Sequence, residues 1–201
     1  MDGVTYVNQL DYPHWLYVTR VELDPANAEW GRTSTIKSSG CGLCSAVMVA
    51  DRLLPESTFD LSDAVQMSYD TGANLRKGTN YHRFAPAFAE KLGLDLEMTN
   101  DPQRLRYCLR TGGAAVLHVK GDREGRVGVF SHGGHYVVAI SEERDGRIAI
   151  MDPSQKEGKY EEEGRQGLVE LKKDFVAVCD MQVVVEDTAP AEPSFYLFWR
   201  K

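Results

Sequence analysis

The sequence has 201 residues, of which 42% are hydrophobic and 26% are charged. These values are close to ordinary globular usage and argue against disordered, collagen-like and coiled-coil chains. The 23 Lys and Arg residues against 30 Asp and Glu residues give a formal net charge of −7, which argues against a general nucleic-acid-binding protein.

The sequence gives no sign of a membrane span or a targeting segment. It has no apolar run of about 18 residues, and its N-terminal sequence MDGVTYVNQLDYPHW lacks the basic and apolar regions of a signal peptide. We therefore expect a cytoplasmic protein, and a secreted or cell-surface location only if a leader has been trimmed. The cysteines are too few for a disulfide scaffold, so we expect reduced thiols at Cys41, Cys44, Cys108 and Cys179.

The first half of the chain is mainly helical in pattern. Residues 1–20 are strand-like in part, and residues 21–40 are polar and rich in turn residues. The run CGLCSAVMVADRLL, residues 41–54, is small and apolar and ends before a proline, which predicts a buried helix. Further helices are predicted over residues 61–69, 84–94 and 101–113.

The second half is rich in β-branched and aromatic residues, which are typical of strands. Strands are predicted over residues 114–120, 135–141, 147–152, 168–171, 175–186 and 194–200. The charged stretch 156–166 is interpreted as a solvated loop. Helices followed by strands are typical of an α+β fold. We expect one domain, 1–201, with a mainly helical half over 1–113 and an antiparallel sheet half over 114–201.

The motif Ser39-Gly40-Cys41-Gly42 stands at the predicted start of the buried helix. A helix N-terminus offers unpaired N–H groups and the positive end of the helix dipole, which lower a thiol pKa and favour the nucleophilic thiolate. Glycine on both sides of Cys41 would let a substrate backbone approach closely. On this motif alone, a buried structural cysteine is the commoner outcome.

A second motif, Gly133-Gly134-His135, places a histidine at the first position of a predicted strand, and Asp152 ends the next strand. In an antiparallel hairpin these two positions lie at the same end of the sheet. There Asp152 would bond the imidazole and fix its tautomer, while His135 moves a proton near neutral pH. Each residue alone is explained as well by a surface turn, and the pairing favours the catalytic interpretation.

A third candidate is Gln9, in the segment VNQLDYP. Its amide is suited to stabilise an oxyanion together with a backbone N–H at the helix start. A glutamine in a loop is usually solvated, and the local sequence does not distinguish the two interpretations.

In chain order, the motifs NQLDYP, SSGCGLCSAVMVA, VGVFSHGGHYVVAI and GRIAIMDPS resemble the papain-like cysteine peptidases related to the bacteriocin-leader (double-glycine) peptidases. The resemblance is to the stand-alone bacterial branch of that group and extends roughly from Tyr6 to Asp152. Those domains carry Gln, then Ser-Gly-Cys-Gly on a helix, then Gly-His at a strand start, then Asp-Pro after the next strand. They usually have Pro-Thr or Pro-Ala after Gly-Cys-Gly, where this chain has Leu43-Cys44.

The resemblance implies a papain-like fold with a cleft between a helical half and a sheet half. It implies Cys41 as the nucleophile, His135 as general base and then acid, Asp152 as the residue that orients the imidazole, and Gln9 as an oxyanion donor. The implied activity is that of a cysteine peptidase or a related thiol-dependent amide hydrolase, with a peptide or amide substrate and neither a metal nor an organic cofactor. The sequence does not indicate the oligomeric state.

Three alternatives remain open. Cys41-x-x-Cys44 is a motif of thiol–disulfide redox sites, although the preceding strand typical of thioredoxin-like proteins is not predicted here. Together with His132 and His135 the two cysteines form a zinc-like ligand set, with a gap far longer than in zinc fingers. A catalytically silent papain-like module that binds a peptide would carry the same residues.

Overall fold

The computed structural model describes residues 4–21, 29–75, 78–189 and 191–201. In these ranges the helices are α1 (Ile36–Ser39), α2 (Cys41–Leu53), α3 (Leu61–Asp70), α4 (Tyr81–Leu92), α5 (Pro102–Arg110) and α6 (Met181–Thr188), with a short 3-10 turn at Gln9–Asp11. The strands are β1 (Leu16–Val21), β2 (Glu29–Thr35), β3 (Leu94–Thr99), β4 (Ala114–Val119), β5 (His135–Glu142), β6 (Ile148–Met151), β7 (Val169–Leu171), β8 (Val176–Cys179) and β9 (Phe195–Arg200).

The main structural unit is a seven-stranded sheet with the strand order β3-β9-β4-β5-β6-β8-β7. Every neighbouring pair in it is antiparallel. Strands β1 and β2 form a separate antiparallel hairpin. The fold is therefore mixed α/β, with a large antiparallel sheet and several helices.

Both faces of the central strands are buried, which divides the core into two layers. On one face, Val116 of β4 and Val138 of β5 belong to the apolar cluster that includes α2, α3 and α4. On the other, Leu117 and Val137 belong to a second cluster with α5 and α6. This alternation is the period of two expected of strands, and it explains why β4 to β6 have near-continuous apolar sequences.

Helix α2 packs against β5, and this contact positions the candidate site. The helix runs from Cys41 to Leu53 and buries nine of its residues, so its N-terminus is held at the beginning of β5. The predicted helix over residues 41–54 is confirmed to within one residue.

Four elements differ from the sequence-based prediction. Strand β2 and helix α1 lie in residues 21–40, which are polar and were interpreted as rich in turns, and strand β3 lies where no strand was predicted. The strand predicted over residues 175–186 is correct only up to Cys179, since α6 begins at Met181. Val183 and Val184 of α6 are buried in the second core layer, so tertiary packing overrides the β preference of valine.

None of the helices in the described parts of the chain combines the length and the apolarity that a membrane span requires.

Candidate active site

The β5–β6 hairpin brings His135 and Asp152 together. Val138 pairs with Met151 across the hairpin, so the first residue of β5 lies beside the residue that follows β6. His135 Nε2 lies 2.8 Å from Asp152 Oδ1. The imidazole is 5% exposed and the carboxylate is fully buried. The predicted juxtaposition of these two residues is therefore present in the structure.

Cys41 is the first residue of α2, and its thiol interacts with the His135 imidazole. Because Nε2 of the ring is bound to Asp152, Nδ1 is the nitrogen left for the sulfur. The backbone N–H groups of Tyr136 and Gly42 also donate to Cys41. The residue is partly exposed, whereas Cys44, Cys108 and Cys179 are buried, so Cys41 is the thiol that a molecule in solution reaches most easily.

Cys41, His135 and Asp152 shift one another's pKa values, and each shift favours the charged form of the group. Burial alone would raise the pKa of the Cys41 thiol, but the charge of His135 and its hydrogen bond outweigh burial and lower that pKa. Burial alone would lower the pKa of His135, but the Cys41 charge and the Asp152 hydrogen bond raise it to about 9. Burial would likewise raise the pKa of Asp152, yet His135 and Lys159 hold it far below its usual range. These shifts favour a thiolate–imidazolium–carboxylate row.

The glycines beside Cys41 serve internal packing. A Cβ added at Gly40 would lie 2.6 Å from both Cγ2 and the carbonyl oxygen of Ile36, in the preceding helix α1. At Gly42 it would lie 3.1 to 3.3 Å from Thr79, Tyr136 and Tyr81. Both glycines therefore have a packing role at the helix start.

Gln9 is buried between the Asp152 turn and α1. Its backbone N–H donates to Pro153 O at 2.7 Å, and its side-chain Nε2 donates to Lys37 O at 2.6 Å. One amide N–H is therefore committed to the helix that precedes Cys41. The carbonyl Oε1 is buried and has no hydrogen-bond partner among the described residues.

The segment around Gln9 is fastened to the Asp152 turn at further points. Tyr6 Oη donates to Asp152 O at 2.7 Å, and Asn8 Nδ2 donates to Gln155 O at 2.9 Å. Together with the Gln9 backbone bond, these contacts hold the candidate oxyanion donor and the candidate orienting carboxylate in one unit.

Three further polar residues contact Asp152, and none of them was among the predicted site residues. Ser154 donates its N–H to Asp152 Oδ1 at 2.9 Å, Lys159 Nζ donates to Oδ2 at 2.5 Å, and Tyr160 Oη donates to Oδ2 at 2.7 Å. Lys159 and Tyr160 are buried, as is Arg165, so the charged stretch 156–166 is not simply a solvated loop. Of these three contacts, only that of Ser154 could be expected from the sequence, because an aspartate side chain in a turn often accepts from the backbone N–H two residues on.

The residues of the two alternative sites are placed differently. Cys44 lies in the core one turn along α2, and burial raises the pKa of its thiol far above the usual range. His132 is exposed and lies within 3.0 Å of Asp122 Oδ2 and of Glu162 Oε2. In the described ranges, no three or more His, Cys, Asp and Glu residues are grouped so as to hold a metal ion.

No protein-family model matches the sequence, and no curated protein matches it significantly.

Proposed function

We propose that the protein is a thiol-dependent amide hydrolase, and more narrowly a cysteine peptidase of papain-like fold, that uses Cys41, His135 and Asp152. The observation that carries this proposal is the row formed by a thiol at a helix N-terminus, an imidazole that interacts with it, and a fully buried carboxylate on the far ring nitrogen. A nucleophile, a base and a group that orients the base are the parts that acyl transfer through a covalent intermediate requires.

The proposed reaction begins with the thiolate. Cys41 Sγ attacks the carbonyl carbon of the substrate, and the electron pair of the C=O bond moves to oxygen. The His135 imidazolium gives its proton to the amide nitrogen as the C–N bond breaks, which releases an amine and leaves a thioester. Neutral His135 then takes a proton from water as the water attacks the thioester, and the acid product leaves with regeneration of the thiolate–imidazolium pair.

The oxyanion formed in each addition step needs hydrogen-bond donors. The N-terminus of α2 provides backbone N–H groups beside Cys41, and the second amide N–H of Gln9 is the proposed side-chain donor. Gln9 is suited to this task because its bonds to Lys37 O and Pro153 O fix its position between the two halves of the site.

The resemblance of the ordered motifs to papain-like cysteine peptidases supports the same proposal. It agrees with the arrangement of a helix that begins at Cys41 and packs on a strand that begins at His135. A redox function through Cys41 and Cys44 is less well supported, because every neighbouring strand pair in the large sheet is antiparallel, whereas thioredoxin-like redox motifs lie in alternating β and α elements.

The proposal is tested by labelling and hydrolysis on matched variants. At neutral pH we expect iodoacetamide to alkylate Cys41 first, as identified by peptide mass spectrometry. Cys41→Ala is expected to abolish this labelling and also the hydrolysis of a quenched fluorogenic peptide library. Cys44→Ala, on the same helix, is the control and is expected to retain both.

Two results would contradict the proposal. Preferential labelling of another cysteine would remove Cys41 as the nucleophile. Rapid labelling of Cys41 with no cleavage of any library member, and equal peptide binding by the native protein and Cys41→Ala, would identify a catalytically silent peptide-binding module instead.

A further inference from the structure

The hydrogen bonds around Asp152 contain a second cation besides His135. Lys159 Nζ donates to Asp152 Oδ2 at 2.5 Å, to Ser154 Oγ at 2.7 Å and to Ser154 O at 3.4 Å. An ammonium group has three N–H donors, and each of them has a partner here. The lysine side chain is only 5% exposed, so this is a buried ion pair rather than a surface contact.

Ser154 joins the lysine to the catalytic pair. Its Oγ lies 3.1 Å from Asp152 Oδ1 and 3.1 Å from His135 Nε2. Because Lys159 can only donate, Ser154 Oγ accepts from Nζ, and its own proton is directed to Asp152 Oδ1. The lysine thus fixes both carboxylate oxygens, one directly and the other through the serine hydroxyl.

The reaction proposed above explains why a second cation is needed. His135 carries a positive charge before the amine leaves and none afterwards, until water has attacked the thioester. Without Lys159, Asp152 would be a fully buried carboxylate with no cationic partner during that interval. Such a buried, unpaired charge is strongly unfavourable. A buried carboxylate in this position would take up a proton and lose its ability to accept from His135 Nε2–H.

We propose that Lys159 is a positioning residue that keeps Asp152 ionised, with its Oδ1 on His135, while the imidazole loses and regains its proton. The proposal rests on the function proposed for Cys41, His135 and Asp152. Lys159 does not touch the substrate or the reacting atoms, and it acts only through Asp152 and Ser154.

Tyr160 supplies the matched comparison. Its hydroxyl donates to the same carboxylate oxygen, Asp152 Oδ2, at 2.7 Å, but it brings no charge. The titratable and charged groups that face Asp152 or Lys159 from the surrounding elements are His135, Tyr6, Lys159, Tyr160, Arg165 and Lys156. Replacing Lys159 by Met removes a cation from this set, whereas replacing Tyr160 by Phe removes only a neutral donor.

The experiment measures the rate of alkylation of Cys41 by iodoacetamide from about pH 4 to about pH 10. This readout needs no substrate, because the thiolate displaces iodide from the reagent directly. In Lys159→Met we expect the acid limb of the profile to move to higher pH by about one pH unit. Asp152 then keeps only His135 as a cationic partner and is protonated at a higher pH, which weakens its support of the imidazolium that stabilises the thiolate. In Tyr160→Phe we expect less than half of that shift, and Lys159→Arg is expected to restore much of the native profile.

A hydrolysis assay adds a second readout. With a peptide that the native protein cleaves, Lys159→Met is expected to lower kcat about tenfold or more and to leave KM nearly unchanged, because the substrate does not contact the lysine. Two results of the alkylation experiment would overturn the role proposed for Lys159. One is an acid limb at the same pH in the native protein and in Lys159→Met, and the other is an equal shift of that limb in Lys159→Met and Tyr160→Phe.

Two further measurements distinguish a failure of the Lys159 proposal from a failure of the proposed function. If Lys159→Met does not fold, ¹⁵N NMR of the native protein replaces it. We expect a slowly exchanging Lys159 ammonium signal that Asp152→Asn removes, and absence of that signal in the native protein would refute the ion pair. If native Cys41 shows neither fast alkylation nor hydrolysis, the proposed function fails, whatever the Lys159 variants do.

Discussion

At the scale of single residues, the site is a row of alternating charges whose members depend on one another. His135 stabilises the Cys41 thiolate and is stabilised in turn by Asp152. Asp152 accepts hydrogen bonds on both of its oxygens, which fixes the plane of the carboxylate and hence the orientation of the ring. No member of the row has a pKa near its ordinary value, and this is typical of catalytic sites.

The pH dependence expected of the proposed hydrolysis follows from these shifts. Below the lowered pKa of Cys41 the thiol is protonated and attack is lost, and above the pKa of His135, about 9, the imidazolium proton needed by the leaving amine is lost. We therefore expect a bell-shaped profile of kcat/KM, with its basic limb near pH 9. Measurement with one fluorogenic peptide across the pH range checks this, and a rate that continues to rise through the basic limb would contradict it.

The proximity of Cys41, His135 and Asp152 could be expected from the sequence, whereas the contacts of their buried partners could not. Cys41, His135 and Asp152 each lie next to a glycine or proline at the end of a predicted element, where local rules apply. Lys159 lies in a stretch of charged residues that is usually solvated, and only the three-dimensional course of the chain brings its Nζ onto Asp152 Oδ2.

At the scale of elements, the contact between α2 and β5 determines whether the thiol meets the imidazole. Gly40 allows α2 to follow directly on α1, and Gly42 allows the first turn of α2 to lie against Tyr136, the residue after His135. A side chain at Gly42 would press against Tyr136 of β5, and one at Gly40 would collide with Ile36 of α1, so each would disturb the position of Cys41 at the start of α2.

Gly40→Ala is expected to show this dependence. The new Cβ would lie 2.6 Å from the backbone oxygen of Ile36, a contact that cannot be relieved without moving α1 or α2. We expect the free energy of unfolding to fall by about 1–3 kcal/mol, by analogy with overpacked cores, and alkylation of Cys41 to slow. Urea titration and iodoacetamide kinetics measure the two effects.

Gly133→Ala is the control for that substitution. A Cβ at Gly133, in the turn before β5, would meet no atom within 4 Å. It is expected to leave both stability and alkylation close to those of the native protein. Equal behaviour of the two alanine variants would contradict the packing role of Gly40.

The regular elements were predicted well where the local pattern and the tertiary environment agree. Helix α2 and strands β4 to β6 are both apolar in sequence and buried in the fold. Strand β3 lies at one edge of the large sheet and, among the described residues, pairs with β9 alone. Its residues are half-polar and give a weak strand signal. In α6, valines that favour strands are used to fill a helix–sheet interface.

At the scale of the whole molecule, the site depends on loops that are far apart in the sequence. Arg165 is 2% exposed, and its guanidinium donates to Gly128 O at 2.8 Å and to Lys159 O at 3.3 Å. It therefore fastens the loop that leads into His135 to the loop that carries Lys159. Both sides of the Asp152–His135 pair are supported by this one side chain.

Arg165→Met is expected to lower the free energy of unfolding by about 2 kcal/mol or more, because buried carbonyl groups lose a charged donor. Urea denaturation followed by tryptophan fluorescence measures this change. Arg144→Met is the control: Arg144 is exposed in the β5–β6 turn, and a change of less than about 0.5 kcal/mol is expected there. Similar midpoints for the two variants would show that Arg165 does not fasten the loops.

The fastening of Tyr6, Asn8 and Gln9 to the Asp152 turn has a consequence for the order of events during synthesis. A chain is made from its N-terminus, so Cys41 leaves the ribosome before His135, Asp152 and Lys159 have been added. An isolated cysteine thiol has a pKa of about 8.5 and is mostly protonated at neutral pH. The growing chain therefore carries a weakly reactive Cys41 thiol. We expect its pKa to fall only when the segment that carries His135 and Asp152, which is made later, packs against the N-terminal segment.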